Sequence, residues 1–231
     1  MQALPLPETV PAGLEVWMLN LDLAAPLAAG DLALLSQDEQ ARASRYRRHA
    51  DRLRAVSGRA ALRRLLGARL RRSPSMLRFT ANRHGKPTLQ EGGAAFNLAH
   101  SGECVLIALA GDDTLDAVGV DVERHDDSLD FSALAAYAFT AEERAALAET
   151  PHAPTAAFFA NWAAKEAVLK AVGVGIAEHL QALSIRRGAD GRLDGAHAVR
   201  GWPRLRGQAL SPLPGYAAAV AWAEPADGDS S

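Results

Sequence analysis

Apolar and polar residues alternate with a period of two in several short stretches of the chain and recur at helical spacing in a few longer ones. Residues 14–23 alternate imperfectly and predict an opening strand. Residues 94–99 and 105–110 predict two more, joined by the turn His100-Ser101-Gly102-Glu103. Shorter runs at 77–81, 117–123, 183–187 and 216–222 complete the predicted strands. Ser36-Gln37-Asp38-Glu39 has the capping-box form, a serine followed three residues later by an acid, and opens a helix. Residues 50–70 carry Leu53, Val56, Ala60, Leu66 and Leu70 on one side and arginines elsewhere. Thr140 before Glu142-Glu143 is a second cap-like start. Pro151 and Pro154 interrupt, and residues 155–172 predict a long helix that ends at Gly173 and Gly175. His84-Gly85-Lys86-Pro87 reads as a turn, Gly111-Asp112-Asp113 as a polar break, and the polar residues 224–231 as a disordered tail. Helices and short strands occur in both halves. The pattern therefore predicts an α+β protein of two related subdomains, 1–113 and 114–223, with a seam near residues 111–114 and a site at their interface.

Composition narrows the function classes. The 231 residues are 48% hydrophobic and 23% charged, an ordinary globular balance, and suffice for one large core or two small ones. A net charge of −2 supplies no global attraction to nucleic acid or membrane. The single cysteine, Cys104, excludes an intrachain disulfide and reads as a core thiol within an apolar run. No apolar run is long enough to cross a membrane, and residues 1–11 lack the basic-then-apolar form of a secretory signal. A cytoplasmic protein is predicted.

Two short acidic signatures carry the candidate chemistry. On a strand over 117–123, Val118, Val120 and Val122 share one face and Gly119, Asp121 and Glu123 the other. A carboxylate pair about 6–7 Å apart at the backbone suits Mg²⁺, a hard cation that takes a couple of carboxylates and completes its shell with phosphate oxygens. Alone, the pair also fits a solvated strand end. In the second signature, Phe158, Trp162, Lys165, Leu169 and Val172 fall on one narrow helical arc, with Glu166 and Lys170 together at its margin. Glu166 and Lys170 suit a surface ion pair, whereas a lysine inside an apolar stripe needs its charge met. A third cluster joins the Gly85-Lys86 turn, able to offer N–H groups and a cation to an anion, to His100 at a strand end. Arg42, Arg45, Arg47, Arg48, Arg52, Arg54 and Arg59 make residues 42–59 basic, which fits either a solvated face or recognition of a phosphate or an acidic partner.

These clusters, in this order, resemble the 4′-phosphopantetheinyl transferases, in particular the larger type that activates surfactin synthetase. The resemblance rests on Gly85-Lys86-Pro87, Phe96-Asn97-Leu98-Ala99-His100-Ser101, Val118-Gly119-Val120-Asp121-Val122-Glu123, Phe139-Thr140-Ala141-Glu142-Glu143 and Trp162-Ala163-Ala164-Lys165-Glu166-Ala167-Val168-Leu169-Lys170. It implies a pseudo-twofold pair of α+β subdomains with coenzyme A between them, acting as a monomer on an apo acyl or peptidyl carrier protein. Asp121, Glu123 and Glu166 would hold Mg²⁺, or Mn²⁺, at the coenzyme A pyrophosphate. Glu166 or a metal-linked water would take the proton of the carrier-protein serine, and Lys170 would assist the leaving 3′,5′-ADP. Lys165 would support the phosphates, and Glu143 would have a supporting role. Gly85, Lys86 and Pro87 would line the nucleotide end, His100 would contact the 3′-phosphate, and Arg42 and Arg54 fall near positions that also bind it. Ala99 departs from the family pattern, which often has serine before the histidine. Two rivals remain: a metal-dependent nuclease, although no lysine follows Asp121-Val122-Glu123 as nuclease sites usually require, and a catalytically silent nucleotide or carrier-protein binder.

Overall fold

The computed structural model describes residues 1–111, 115, 117–150 and 152–224. The predicted break at 112–113, most of the seam, Pro151 and nearly all of the predicted tail lie outside them. The first half contains β1 (Gln2–Ala3), β2 (Glu15–Asn20), α1 (Ala29–Leu32), α2 (Gln37–Ser44), α3 (His49–Leu70), β3 (Phe79–Ala81), β4 (Pro87–Leu89), β5 (Ala94–Ser101) and β6 (Cys104–Gly111). The second contains β7 (Val118–Arg124), α4 (Ser132–Ala138), α5 (Ala141–Ala148), α6 (Pro154–Val172), α7 (Ile176–His179), β8 (Leu183–Arg187), β9 (Arg192–His197), β10 (Leu205–Leu210) and β11 (Tyr216–Ala223). One antiparallel sheet runs β1-β2-β6-β5 and the other β7-β11-β10-β9-β8, with β3-β4 as a small ribbon.

Alternation along the strands builds four layers. Val105, Ile107 and Leu109 of β6 meet Ala61, Leu62 and Leu66 of α3, while Leu106 and Ala108 face the other way. That other face packs against Val118, Val120, Val122, Ala218, Val220 and Trp222 of the second sheet, so one apolar layer lies between the sheets. Ala217, Ala219 and Ala221 on the far side of β11 lie against α6. The order is thus α3, first sheet, second sheet, α6, with each half placing its long helix outside its own sheet. At 25 cal/mol per Å² of apolar surface, each fully buried valine or leucine contributes about 1.5–3 kcal/mol before its ordering entropy.

Local chemistry fixes the helix starts. Ser36 with Glu39, and Thr140 with Glu143, form complete capping boxes at the starts of α2 and α5. α6 begins with Pro154 in its first turn and ends at Gly173, whose φ of 78° suits glycine. β9 and β10 were not predicted, because each contains a glycine that weakens the β pattern. Gly207 is required, since a Cβ there would lie 2.7 Å from the Val220 carbonyl, and Gly195 is closely packed, since a Cβ there would lie 3.1 Å from the Leu205 side chain. Pro87, the last residue of the predicted turn, opens β4, because the small ribbon with β3 gives it and its two successors partners.

Candidate active site

The valines of β7 are sealed between the sheets, so Gly119, Asp121 and Glu123 point at α6. Gly119 lets the helix approach, since a Cβ there would lie 2.0 Å from the Ala167 carbonyl and 2.4 Å from the Ala171 nitrogen. The close approach brings Glu166 and Lys170, one helical turn apart, over Asp121. One carboxylate oxygen from each of Asp121, Glu123 and Glu166 lies within 4.8 Å of the other two. Lys170 Nζ stands 2.5 Å from Asp121 Oδ1 and 3.2 Å from Glu166 Oε2.

The electrostatics leave this cluster short of positive charge. Three carboxylates face one ammonium, a formal excess of two negative charges. Burial pushes the Asp121 carboxyl well above the ordinary range, and repulsion from Glu166 and Glu123 adds to it against the pull of Lys170. Burial also raises Glu123, opposed by hydrogen bonds from Ser101 and from the Trp162 indole. Burial alone would lower Lys170, but Asp121 and Glu166 outweigh it and hold the ammonium above its ordinary value. Asp121 Oδ2 is buried and has no hydrogen-bond partner. An orphaned buried carboxylate oxygen beside two further hard oxygen donors, with a charge deficit of two, fits a divalent cation such as Mg²⁺.

Two pockets share Asn97: one lies between the halves and reaches Lys170, and the other lies within the first half. One, of about 280 Å³, is lined by Gly85, Lys86, Asn97, Lys170 and Gly175. The other, of about 270 Å³, is lined by Arg42, Tyr46, Arg59, Pro87, Asn97 and His100. Asn97 borders both, and its Oδ1 accepts the Val120 N–H at 2.9 Å. His100 is held below its ordinary value by burial first, then by the Arg54 and Lys170 charges. Arg59 Nη1 is buried without a hydrogen-bond partner. Its ring-facing guanidinium sits 4.9 Å from the Phe79 centroid, and its Nε is 3.4 Å from Glu39. Glu39 also serves Arg63, so a single carboxylate is shared by two guanidiniums with Arg42 nearby. The arrangement favours an anion.

The structure brings together Asp121, Glu123, Glu166 and Lys170; Gly85 and Lys86 line the pocket that reaches Lys170, and Arg42, Pro87 and His100 line the first-half pocket that shares Asn97 with it. Two residues sit apart. Arg54 does not line the pockets: its Nε bonds the Gly102 carbonyl at 2.6 Å and its Nη1 bonds Asp51 at 2.6 Å, though its charge reaches His100. Lys165 requires a correction. Its ammonium is not directed at the carboxylate cluster but donates to Glu143 Oε2 at 2.6 Å and to the Leu183 carbonyl at 2.5 Å, in a fully buried position. The apolar arc had shown that its charge must be met, and Glu143 meets it. Ser101, Trp162, Arg59 and Asn97 were passed over as site residues. Ser101, Trp162 and Asn97 stand inside the recognised motifs, and Arg59 is one of seven arginines in a basic stretch with no separate signal.

Comparison with known proteins agrees with this geometry. Residues 117–221 match the 4′-phosphopantetheinyl transferase superfamily model, and residues 28–112 match the 4′-phosphopantetheinyl transferase N-terminal model. The chain is 38% identical over 166 residues to a Synechocystis sp. protein bearing the 4′-phosphopantetheinyl transferase name, covering 70% of this chain and 65% of that one. It is 35% identical over 169 residues to the 4′-phosphopantetheinyl transferase HetI of Nostoc sp., covering 71% of this chain and 70% of HetI. It is 24% identical to the transferase Sfp of Bacillus subtilis over 70% of each. The chain therefore spans just under two thirds of the Synechocystis relative.

Proposed function

Because the chain belongs to the 4′-phosphopantetheinyl transferase superfamily, we propose that it moves the 4′-phosphopantetheine arm of coenzyme A to a serine of an apo acyl or peptidyl carrier protein. The observation that carries this reading is the convergence of Asp121, Glu123 and Glu166 beside Lys170, next to a pocket bordered by Arg42, Arg59 and His100. A nucleotide with phosphates at both ends suits this pairing, a carboxylate cluster that a divalent cation would turn toward one phosphate and a pocket with two arginines and a histidine for the other.

In this reading Asp121, Glu123 and Glu166 would hold Mg²⁺, or Mn²⁺, which supplies charge neutralisation at the pyrophosphate. Glu166 accepts the hydroxyl proton of the carrier serine as its oxygen attacks the β-phosphorus. The new bond is serine Oγ to phosphorus; the bridging phosphorus–oxygen bond breaks, and 3′,5′-ADP leaves with its charge met by Lys170 Nζ. The pocket of Arg42, Arg59 and His100 receives the 3′-phosphate, and Gly85 and Pro87 border the nucleotide. The nucleophile comes from the partner, so the chain needs none of its own. Cys104 is consistent with that, because burial pushes its thiol up to about 12. The same proposal takes the subdomains as 1–113 and 114–223, the protein as a monomer and its setting as cytoplasmic. No helix among the described residues is long and apolar enough to cross a membrane.

The test is mass spectrometry of an apo carrier protein incubated with the chain, coenzyme A and Mg²⁺. A phosphopantetheine adduct is expected, lost in Asp121→Asn and Glu166→Gln with the fold intact. Full transfer by both variants would remove the carboxylate assignment. Cleavage of plasmid DNA without adduct formation would instead select the nuclease reading.

A further inference from the structure

We propose that Lys86, together with Asn82, is a positioning residue that locks the last turn of α6 against β7, and is not a phosphate ligand. The inference rests on the transferase reading for its kinetic consequences alone. An ammonium has three donors, and Lys86 points its Nζ at three carbonyls: Lys170 O at 2.6 Å, Val118 O at 3.0 Å and Ala171 O at 3.2 Å. Two of these belong to the C-terminal turn of α6, where helix carbonyls lack intrahelical partners and a cation is favoured. Asn82 supplies the next contact, donating from Nδ2 to the Gly173 carbonyl at 2.9 Å.

The turn that holds both side chains is itself braced. Asn82 Oδ1 accepts the His84 N–H at 2.9 Å and the Lys86 N–H at 3.0 Å, and Gly85 takes a φ of 83° to close it. The helix end is shaped to receive it. A Cβ on Gly173 would stand 3.2 Å from Asn82 Nδ2 and 3.4 Å from Lys86 Cδ. Burial draws Lys86 down to about 8, while the carbonyl dipoles favour its charged form.

The functional link is Lys170. Its main-chain oxygen is gripped by Lys86, and its side chain reaches Asp121 and Glu166. Val118, three residues before Asp121, is gripped by the same ammonium. One residue of the first half therefore sets the distance between the strand that carries two carboxylates and the helix that carries the third. A phosphate ligand has a different signature, since its loss would weaken nucleotide binding.

The experiment compares Lys86→Met, Asn82→Ala and the double variant. Each is followed by transfer kinetics with coenzyme A, and by hydrogen exchange over a peptide spanning residues 168–175. Positioning predicts kcat down about tenfold in Lys86→Met with KM for coenzyme A within about twofold, a smaller kcat loss in Asn82→Ala, and effects that do not add. It also predicts faster exchange of the Gly173 amide, which bonds Leu169 O at 2.9 Å. A tenfold rise in KM with kcat and exchange unchanged would overturn the proposal. If Lys86→Met does not fold, Asn82→Ala decides: unchanged exchange at Gly173 in that variant overturns it. Absence of transfer by the unsubstituted chain would count against the transferase reading alone, because the exchange result still decides the clamp.

Discussion

Replacing Lys165 by Met separates a buried brace from a phosphate contact. Lys165 is 0% exposed and Glu143 is 2% exposed. Glu143 Oε2 accepts the Lys165 ammonium at 2.6 Å and the Thr140 N–H at 2.8 Å, and Oε1 accepts the Ile185 N–H at 2.8 Å. The pair thus ties α5, α6 and β8 at one point. Met keeps the stem length but strips Glu143 of its cation and leaves the Leu183 carbonyl without this donor. Breaking a buried pair by removing one partner costs about 3–5 kcal/mol. In a chain of this size each kcal/mol moves the midpoint by about 2–4 °C, so Tm should fall by roughly 6–20 °C. Adding Glu143→Gln removes the stranded charge while keeping an acceptor for Ile185, and should recover about half of the loss. Scanning calorimetry measures this, alongside transfer kinetics well below the transition, where kcat should stay within about threefold. A Lys165→Met protein with unchanged Tm and a hundredfold lower kcat would refute the brace and return Lys165 to the phosphates.

Ser101→Ala should weaken divalent-ion affinity about tenfold, because Ser101 Oγ donates to Glu123 Oε2 at 2.9 Å and orients it; a Mn²⁺ titration that matches the unsubstituted chain would contradict this. Arg59→Met keeps an apolar stem over Phe79 and should raise KM for coenzyme A about tenfold or more, with no change for 3′-dephospho-coenzyme A. An equal rise for both substrates would show that Arg59 does not read the 3′-phosphate. His100 is held below its ordinary 6.5, so the unfolded chain binds the extra proton first as pH falls, and stability drops through 6.5 toward the lowered folded value. His100→Gln should flatten that part of the Tm-against-pH curve. The facing charges are Arg54 and Asp51 of α3 and Lys170 of α6, with Arg42, Arg59 and Glu39 in the pocket wall. A bound phosphate reverses their net effect, so coenzyme A binding near pH 6.5 should take up protons; calorimetry in buffers of different ionisation enthalpy that finds none would oppose this.

What the sequence disclosed followed from periodicity and local chemistry. Val118, Val120 and Val122 had to share a face, which fixed the opposite face of Asp121 and Glu123. The capping boxes at Ser36 and Thr140 are settled within four residues, and both formed. What stayed hidden depends on partners distant in the chain. Lys165 shows a need for a counter-charge in its helical arc, but its partner is 22 residues away on another helix. Gly195 and Gly207 look like breaks in a strand until Leu205 and Val220 occupy the space that a Cβ would need. Arg59 resembles its basic neighbours, and becomes distinct only in the fold, where it shares Glu39 with Arg63 and keeps one buried donor without a partner.

The junction of the two halves explains why the site lies where it does. β7 is the edge of the second sheet and β5 the edge of the first. An edge strand carries backbone groups that need partners, and the first half supplies them from side chains. Lys86 donates to Val118 O, Asn97 accepts from Val120 N and Ser101 accepts from Arg124 N. These contacts fall at residues 118, 120 and 124, all of one parity, and the residues of the other parity include Asp121 and Glu123, the carboxylates that face α6. The pleat therefore gives one strand two duties: its even positions fasten the halves together, and its odd positions hold the acids. Ser101 performs both at once, bonding Arg124 N and Glu123 Oε2. A shift of one residue in the β7–β11 register would move the valines toward α6 and the acids into the layer between the sheets, so packing and catalysis are set by the same alignment.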